Sequence, residues 1–511
     1  MSDLTPVIIG VGEASERIDA ADYRAMSPAD LAGAAARAAL DDALSAQALA
    51  PHLDVIAAIR QFEVSIPNAV APFGRADNFP RAVARRIGAD PARAILEPVG
   101  GQGPQHLVNE FAQAIGAGEA EMVLLAGSEA ISTIRHLMSK GESRDWSEAI
   151  GGQLEDRGYG EPLLTRDLVQ HGARTPISVY ALFENARRAR LGLDRRAYGL
   201  EMGRLFAPFT QVAAANPHAM SREVYTAEEL ATVTERNRLT SDPFPRRMVA
   251  RDQANQGAAV VLTSAGNARA LGVPEEKFIY LHGGADVRER AVVERADLSS
   301  SPASILAARR ALEVAGLDAA AIDLFDLYSC FPIAVFNVRD GLGIAAGDAR
   351  PLTVTGGLPF FGGAGNNYSM HAIASMVRAL RARPGARGLV GANGGFLSKY
   401  SVGVYSAEAA PWTGFDSRAL QAEVDAWPAP ALAGPVTGRG VIGTYTIDYA
   451  GPAPRAVAIG TVEVTGARFI AMSDEPAVVQ TLIDREPLGA QVELAADEAG
   501  HTLIRAAAPA A

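Results

Sequence analysis

The sequence predicts an α/β protein made of two related halves, followed by a smaller β-rich domain. Two observations support this fold class. Short apolar runs alternate with helical segments and glycine turns over residues 7–130, and the same order of events returns over residues 258–405. The composition then changes near Pro411, and alternating β-type segments follow. We therefore expect an internal duplication with little sequence identity between its halves.

The first half begins with a continuous apolar strand over residues 7–12, and such strands are typical of parallel sheets covered on both faces. Ser27 as N-cap and Pro28 at the first helical position then predict the start of a helix. The glycines from Gly116 to Gly118 end a second helix. The remaining predicted elements of this half are strands at 55–59, 94–96 and 122–127 and a helix over 107–115.

The second half repeats this alternation, so we predict a parallel sheet in both halves. Its predicted strands are 258–262, 278–281, 322–327 and 388–392, and its predicted helices begin at Pro302, after Pro332 and near residue 367.

Residues between the halves are richer in Arg and Glu, and helical segments at 178–192 and 195–206 have charged faces that include a basic cluster of Arg187, Arg188 and Arg190. Insertions of this kind often form the mouth of an active site. The predicted division of the chain is a first half at 1–130, a loop-domain insertion at 131–250, a second half at 251–410 and an additional β domain at 415–511.

Composition limits the kinds of partner. The net charge of −11 and the pI near 5.4 argue against binding to nucleic acid or to an anionic membrane surface. The single cysteine, Cys330, excludes an internal disulfide and argues against a thiolate metal site, so no metal is expected. The first six residues lack the basic and apolar regions of a signal peptide. We expect a cytoplasmic protein.

Cys330 stands where the predicted strand 322–327 leads into a helix at Pro332. A thiol in this position can be held as a thiolate by the free N–H groups of a helix N-terminus. The alternative is a small buried hydrophobic side chain, which is the commoner role of a lone cysteine.

A glycine-rich turn from Gly356 to Gly365 precedes the helix near residue 367. Exposed N–H groups at such a turn can hold an anion or an oxyanion, and Gly362 and Gly363 would let a ligand approach the backbone. The alternative is a turn that only solves a packing problem. The sequence lacks a P-loop pattern, so it gives little support to nucleotide triphosphate hydrolysis.

Several segments together resemble the thiolase superfamily. The match is closest to the sterol-carrier-protein-type branch and to thiolase-like proteins with an additional C-terminal domain. The resemblance covers residues 5–410, and it rests on segments 118–129, 255–259, 328–331, 356–380 and 391–395. It implies a duplicated five-layer α/β/α/β/α core with a loop domain, joined here to an OB-like β domain.

The resemblance also implies a function. Members of the superfamily transfer acyl groups to or from coenzyme A, making or cleaving a carbon–carbon bond in a 3-ketoacyl thioester, and they are usually dimeric. It implies coenzyme A or acetyl-CoA as substrate, a small-molecule acyl substrate, a place in lipid metabolism, and a homodimer or a monomer. It gives no reason to expect a nucleic acid or membrane partner.

Three catalytic positions of the superfamily are replaced. The position of the nucleophilic cysteine falls at or beside Gly101, that of the catalytic histidine at Gly363, and that of the second cysteine at Ala392. Only Cys330 remains, in the position of the branch's His-Asp-Cys-Phe motif. Ordinary thiolase chemistry therefore does not follow from the resemblance.

Other side chains are candidates to replace the lost groups. Asn366 and Asn393 lie in loops that the superfamily uses for oxyanion contacts, although asparagine is also a common turn residue. His371 is a further catalytic candidate, with a structural role on its helix as the alternative. Tyr328 is a candidate to orient a substrate carbonyl group, with a packing role in the core as the alternative. The predicted catalytic set is Cys330, His371, Asn366 and Asn393, and His106 and Gln102 are added as polar contacts beside the nucleophile position.

Arginines near the end of the insertion are candidates for the phosphates of coenzyme A, because arginine suits phosphate geometry. The alternative is a solvated basic face. The predicted cofactor-binding residues are Arg246, Arg247, Arg251, Asn255, Gly362 and Gly363.

Two function hypotheses follow. The first is a coenzyme-A-dependent acyltransferase or carbon–carbon lyase that uses a modified mechanism, with Cys330 as nucleophile or base. The second is a protein that binds coenzyme A or an acyl chain without catalysis and acts through a partner; the losses at Gly101, Gly363 and Ala392 favour it.

Overall fold

Strands and helices alternate through the first 140 residues of the computed structural model, which describes residues 2–161 and 164–507. The first long helix begins as predicted: the Ser27 hydroxyl accepts a hydrogen bond from the Asp30 N–H at 3.1 Å, and the Asp30 side chain accepts one from the Ser27 N–H. The elements are β1 (Pro6–Ser15), α1 (Pro28–Ala43), α2 (Ala46–Leu49), β2 (Val55–Ile59), α3 (Phe79–Ile87), β3 (Arg93–Glu97), α4 (Gly103–Ala117), β4 (Met122–Ala130) and α5 (Ile131–Lys140).

The insertion is mainly helical. Two of the three arginines of the predicted basic cluster are buried in ion pairs. Arg187 and Arg188 are 2% and 1% exposed, because Arg187 pairs with Asp340 at 2.8 Å and Arg188 with Glu486 at 2.7 Å. The elements are β5 (Glu155–Asp156), α6 (Arg166–Gln170), α7 (Pro176–Leu191), α8 (Arg195–Ala215), α9 (Ala227–Ala231), β6 (Leu239–Ser241) and β7 (Phe244–Pro245).

The second half repeats the strand pattern of the first. Strands run in the order β2-β4-β8-β1 in one half and β10-β11-β12-β9 in the other, with the same directions. The internal duplication is therefore confirmed. The elements are β8 (Asn255–Ser264), α10 (Ala265–Ala270), β9 (Ile279–Arg288), α11 (Pro302–Val314), β10 (Leu324–Leu327), α12 (Pro332–Gly341), α13 (Tyr368–Ala382), β11 (Arg387–Gly394) and β12 (Lys399–Ser406).

The sheets are mixed, so the prediction of a parallel sheet is wrong for part of each half. β2 and β4 are parallel, but β8 is antiparallel to both β4 and β1. β4 ends at Ala130 and β8 begins at Asn255, which is its partner in register, so β8 runs back along β4. This strand belongs to the sheet of the first half, although the predicted division places it in the second.

Five layers form the core, as the fold class predicts. Helices α1 and α3 pack on the strands of the first half, and α11 packs on β9 and β12 of the second. Helices α4 and α13 contact strands of both halves and each other, so they form the central layer. The outer layers lie very close to their strands: a Cβ atom on Gly12 or Gly283 would run into the backbone of α1 or α11.

The C-terminal part is a small closed barrel, which confirms the OB-like prediction. β13 pairs with both β14 and β16, so the strands close in the order β13-β14-β15-β17-β16, with β15 and β17 parallel and α15 between the third and fourth strands. The last four residues of the predicted domain lie outside the described residues. The elements are α14 (Arg418–Asp425), β13 (Gly438–Asp448), β14 (Arg455–Val462), β15 (Arg468–Ser473), α15 (Pro476–Asp484), β16 (Gln491–Ala496) and β17 (Thr502–Ala507).

The barrel is fixed to the insertion through buried polar contacts. The Tyr445 hydroxyl donates to Asp242 at 2.9 Å and accepts from Arg195 at 2.9 Å, and Asn185 donates to the Tyr445 carbonyl at 2.9 Å. The paired strands β6 and β7 also extend the barrel sheet beside β13. The insertion and the C-terminal barrel therefore stabilise each other's position on the core. None of the described helices combines the length and apolar character needed to span a bilayer.

Candidate functional site

The candidate site lies where the N-terminus of α4, the loop before α12 and the end of β11 meet. β10 runs parallel to β11, and the Tyr328 N–H extends this pairing by donating to the Gly391 carbonyl at 2.9 Å. This contact places Tyr328, Cys330 and Asn393 beside Gly101. Three segments that are far apart in sequence thus form one buried polar cluster.

Cys330 is a neutral buried thiol rather than a thiolate. Its side chain is 8% exposed, and Asn393 donates to Sγ at 3.7 Å. Burial raises the pKa of Cys330 to about 12, and the neighbouring Tyr180 hydroxyl and the hydrogen bond from Asn393 only partly oppose this. The predicted stabilisation by the start of α12 is therefore outweighed by loss of hydration.

Tyr180, on α7 of the insertion, holds the cluster together. Its hydroxyl donates to the Gly395 carbonyl at 2.8 Å and accepts from Asn393 at 2.7 Å, while its ring stacks on Phe331 at 4.4 Å. Sequence reasoning missed Tyr180, because nothing in α7 shows that it packs against a loop more than 200 residues away. Asn393 is thus oriented toward Tyr180 and Cys330.

The Tyr328 hydroxyl occupies the space beside Gly101. A Cβ atom on Gly101 would lie 2.6 Å from the Asn393 carbonyl oxygen and closer still to the Tyr328 hydroxyl. Ser369 fixes the Gly101 backbone by donating to its carbonyl at 2.6 Å. The space beside Gly101 is therefore filled by other groups of the protein and is not an empty cavity.

Gly362 and Gly363 are covered by protein on the sides where their Cβ atoms would lie. The Gly363 N–H donates to the Arg251 carbonyl at 2.7 Å, and a Cβ on Gly363 would lie 3.1 Å from that oxygen. A Cβ on Gly362 would lie 2.7 Å from Oε1 of Gln256. Residue 363, the position that the resemblance assigns to the catalytic histidine, is covered by the Arg251 backbone.

Two of the predicted polar residues have structural partners elsewhere. Asn366 donates to the Arg60 carbonyl at 2.9 Å and to the Ser65 hydroxyl at 3.1 Å, so it fixes the loop after β2 rather than facing Cys330. Asn255 accepts from the Thr133 N–H at 2.8 Å and is fully buried, which is incompatible with the predicted contact to a cofactor.

His371 is buried in a charged cluster of the central layer. Its Nδ1 atom lies 2.6 Å from Glu13 Oε1, and Glu13 also pairs with Arg378. Burial alone would raise the pKa of Glu13, but the hydrogen bond to His371 and the charges of His371 and Arg378 lower it to about 2. The contacts of His371 are with β1, not with Cys330.

The arginines predicted to bind coenzyme A lie next to the loop that carries Cys330. The Ala250 N–H donates to the Cys330 carbonyl at 3.0 Å, which places Arg251 at the rim, and Arg247 lies 4.3 Å from the Tyr225 ring. Burial and the nearby charges of Arg17 and Arg246 lower the pKa of Arg251. Arg17, Arg246 and Arg251, here named the basic rim, lie close enough for their charges to act on Arg251, and Arg17 also pairs with Asp19 at 3.2 Å.

His106 points away from the nucleophile position. It lines a separate cleft of about 390 Å³ between α4, β9 and α14, and its Nδ1 atom lies 3.2 Å from Asp286. Burial alone would lower the pKa of His106, but Asp286, Glu97 and Glu110 outweigh it and raise the pKa to about 9. Gln102, by contrast, does lie beside Gly101, against Gly100 and Gly394.

Comparisons with known proteins agree with this geometry. The crystal structure of a monomeric SCP2-thiolase-like protein of type 1 from Mycobacterium smegmatis is 44% identical, with a TM-score of 0.85 over 99% of this chain and 100% of that chain. A family model described as the thiolase-like protein type 1 additional C-terminal domain matches residues 419–499. No curated protein sequence matches the chain significantly.

More distant structures share the fold alone. The peroxisomal thiolase of Saccharomyces cerevisiae is 14% identical, with a TM-score of 0.58 over 80% of this chain and 98% of that chain. The Ltp2-ChsH2(DUF35) aldolase is 19% identical, with a TM-score of 0.58 over 79% of this chain and 98% of that chain.

The duplicated five-layer core defines a protein of the thiolase fold. At 44% identity over nearly its full length, with the matching C-terminal domain, the chain belongs to the SCP2-thiolase-like proteins of type 1.

Proposed function

We propose that this protein binds coenzyme A or an acyl-CoA thioester at the basic rim and does not carry out thiolase turnover. The observation that carries the proposal is the concentration of positive charge directly above the loops of Cys330 and Gly363. Arginine side chains pair well with phosphate oxygens, and coenzyme A carries several phosphate groups. Neighbouring like charges favour binding of an anion, which relieves their repulsion.

The closed catalytic positions argue against thiolate chemistry. Tyr328 and the Asn393 carbonyl occupy the space of a nucleophile at Gly101, and the Arg251 backbone covers Gly363. The remaining thiol, Cys330, is neutral and buried. The function supported best is therefore binding, with the adenine nucleotide end of the ligand at the surface.

Calorimetric titration with coenzyme A and acetyl-CoA tests this function. We expect binding to the wild type and about tenfold weaker binding to Arg251→Ala and to Arg246→Ala, since a charged hydrogen bond contributes about 1.5–3 kcal/mol. Arg383→Ala, on an exposed helix end, is the matched control and should bind as the wild type does. The absence of heat with wild-type protein would refute the proposal.

A second candidate is the acyltransferase or carbon–carbon lyase activity expected from the superfamily. The position of Tyr328 favours it, because the phenol stands at the nucleophile position and burial raises its pKa, so it stays a hydrogen-bond donor. Turnover of a 3-ketoacyl-CoA by the wild type, lost in Tyr328→Phe or in Cys330→Ala, would support it. If coenzyme A binds but no product forms, the binding function is supported and the enzymatic activity is refuted.

We also propose that the protein is cytoplasmic, acts in lipid metabolism and is a monomer. The monomer is supported by the covered edge of the first-half sheet. The edge strand β3 pairs with β5, and Arg157 of the same segment bonds Glu97 and Glu110. β5 is the outermost strand and has only two residues, and such a short edge strand disfavours pairing with a second copy. Sedimentation at several concentrations tests this assignment, and a mass that doubles on concentration would contradict it.

A further inference from the structure

Ser15 and His218 form a hydrogen-bonded pair outside the cluster around Cys330. The Ser15 hydroxyl lies 3.0 Å from Nδ1 of His218, and both residues are only partly buried. Ser15 is the last residue of β1, so its side chain lies at the end of a fixed strand. The pair therefore combines a nucleophile type, a base type and access to solvent.

The surrounding contacts hold His218 in place. Gln256 is the register partner of Ser15, and its side-chain amide donates to the carbonyls of His218 at 2.9 Å and Phe361 at 3.0 Å. The His218 N–H donates to the Asn216 side chain at 3.0 Å. The loop that carries His218 is thus tied to the same sheet as Ser15. Such fixed orientation is what a nucleophile–base pair requires.

The charges near the pair suit a base. Burial lowers the pKa of His218, so its imidazole is neutral at neutral pH and Nδ1 can accept a proton. Glu13 lies two residues before Ser15 on the same face of β1, and its negative charge favours the imidazolium that would form. Glu13 acts on His218 only through its charge, because its oxygens are bonded to His371 and Arg378.

The pair also lies close to the basic rim. Arg17 is two residues beyond Ser15, and Arg251 is near enough to Arg17 for each guanidinium to affect the other. Gln256, which holds His218, also covers Gly362 beside the Arg251 backbone. The basic rim and the Ser15–His218 pair therefore lie on the same part of the surface, where one flexible coenzyme A thioester can contact both.

We propose that Ser15 and His218 are a nucleophile and its base, and that they hydrolyse an acyl-CoA thioester. This inference rests on the proposed binding of coenzyme A. The Ser15 oxygen forms a bond to the acyl carbon while its proton moves to His218 Nδ1, and the carbon–sulfur bond breaks as that proton passes to the leaving sulfur. Water then attacks the acyl-serine ester, gives a proton to His218, and the proton returns to the Ser15 oxygen. The products are a free carboxylic acid and coenzyme A thiol.

A fluorophosphonate probe tests the nucleophile without requiring coenzyme A. We expect one adduct on the wild-type protein, mapped by mass spectrometry to Ser15, and at least a hundredfold slower labelling of His218→Asn. Ser15→Ala should not label, and the exposed Ser139→Ala is the matched control that should label as the wild type does. No adduct at Ser15 in the wild-type protein would overturn the proposal even if a variant failed to fold.

Thiol release from acetyl-CoA, followed with Ellman's reagent, tests the substrate. We expect release by the wild type and at least a hundredfold loss in Ser15→Ala and His218→Asn, with coenzyme A binding by calorimetry unchanged in both. Binding without labelling or release would refute the dyad and leave the proposed function standing. Labelling of Ser15 without coenzyme A binding would instead refute the proposed function and the thioester substrate.

Discussion

The hydroxyl group of Tyr328 lies where a side chain on Gly101 would begin. This relationship explains why two changes from the superfamily's pattern occur together. A cysteine at residue 101 and a tyrosine at residue 328 cannot occupy the same space, so the glycine is needed once the tyrosine is present. The pocket has been repacked around the phenol, and restoring one catalytic residue does not restore the old arrangement.

Restoring the nucleophile should therefore destabilise the protein. We expect Gly101→Cys to lower the free energy of unfolding by about 1–3 kcal/mol, as overpacking of a core does. Urea unfolding gives the value. In the double variant Gly101→Cys with Tyr328→Ala, the total should be less than the sum of the single effects by about 0.5–3 kcal/mol, because the cavity receives the new side chain. Additive effects would show that the two residues do not share space.

Cys330 should resist alkylation in the folded protein. With a pKa of about 12, only about 1 in 10,000 of the thiols is ionised at pH 8, and thiolate is the reactive form. Iodoacetamide labelling, followed by mass spectrometry, should be slow in buffer and complete in guanidinium chloride. Rapid labelling of the folded wild type would contradict the neutral thiol. Because Cys330 is the single cysteine, the unfolded protein serves as its own control.

Removing the Glu13 carboxylate should be strongly destabilising. Glu13→Gln removes the buried carboxylate that pairs with Arg378 and contacts His371 at 2.6 Å, and losing a charged hydrogen bond costs about 1.5–3 kcal/mol. The pKa of Glu13 is lowered from 4.5 to about 2, so its contribution is present above pH 4.5 and is lost as the pH falls toward 2. Urea unfolding between pH 7 and 3 should show this loss in the wild type.

Glu119→Gln, at an exposed position after α4, is the matched control and should keep the acid dependence of the wild type. Glu13→Gln should have a flatter dependence over the same range. Equal slopes for Glu13→Gln and the wild type would show that Glu13 does not titrate as the structure predicts.

His106 should remain protonated well above neutral pH. Its pKa is raised from 6.5 to about 9, so the stabilisation it provides is full below pH 6.5 and is lost as the pH rises through 9. An NMR titration of the imidazole signals gives the pKa directly. Asp286→Asn should lower that pKa, since it removes the hydrogen-bonded charge. A wild-type midpoint near 6.5 would contradict the ion-pair geometry.

Local patterns in the sequence were enough for most of the fold. Ser27, Pro28 and the glycine after α4 marked helix ends correctly, because caps and turns depend on neighbouring residues. The repeated order of elements revealed the duplication. The direction of a strand could not be predicted from the sequence pattern, because an apolar run has the same pattern whether β8 is parallel or antiparallel to β4.

The sequence by itself determined most of the elements and the family, since each depends on residue identity at a known spacing. Only the tertiary structure decided which groups lie beside the two glycines: the Tyr328 hydroxyl at Gly101, and the Arg251 backbone at Gly363. It also placed Tyr180 beside Cys330 and His218 beside Ser15, pairs separated by 150 and 203 residues. The physical reason is that burial, pKa and hydrogen bonding are set by neighbours in space, and these neighbours come from distant segments that meet only in the packed core.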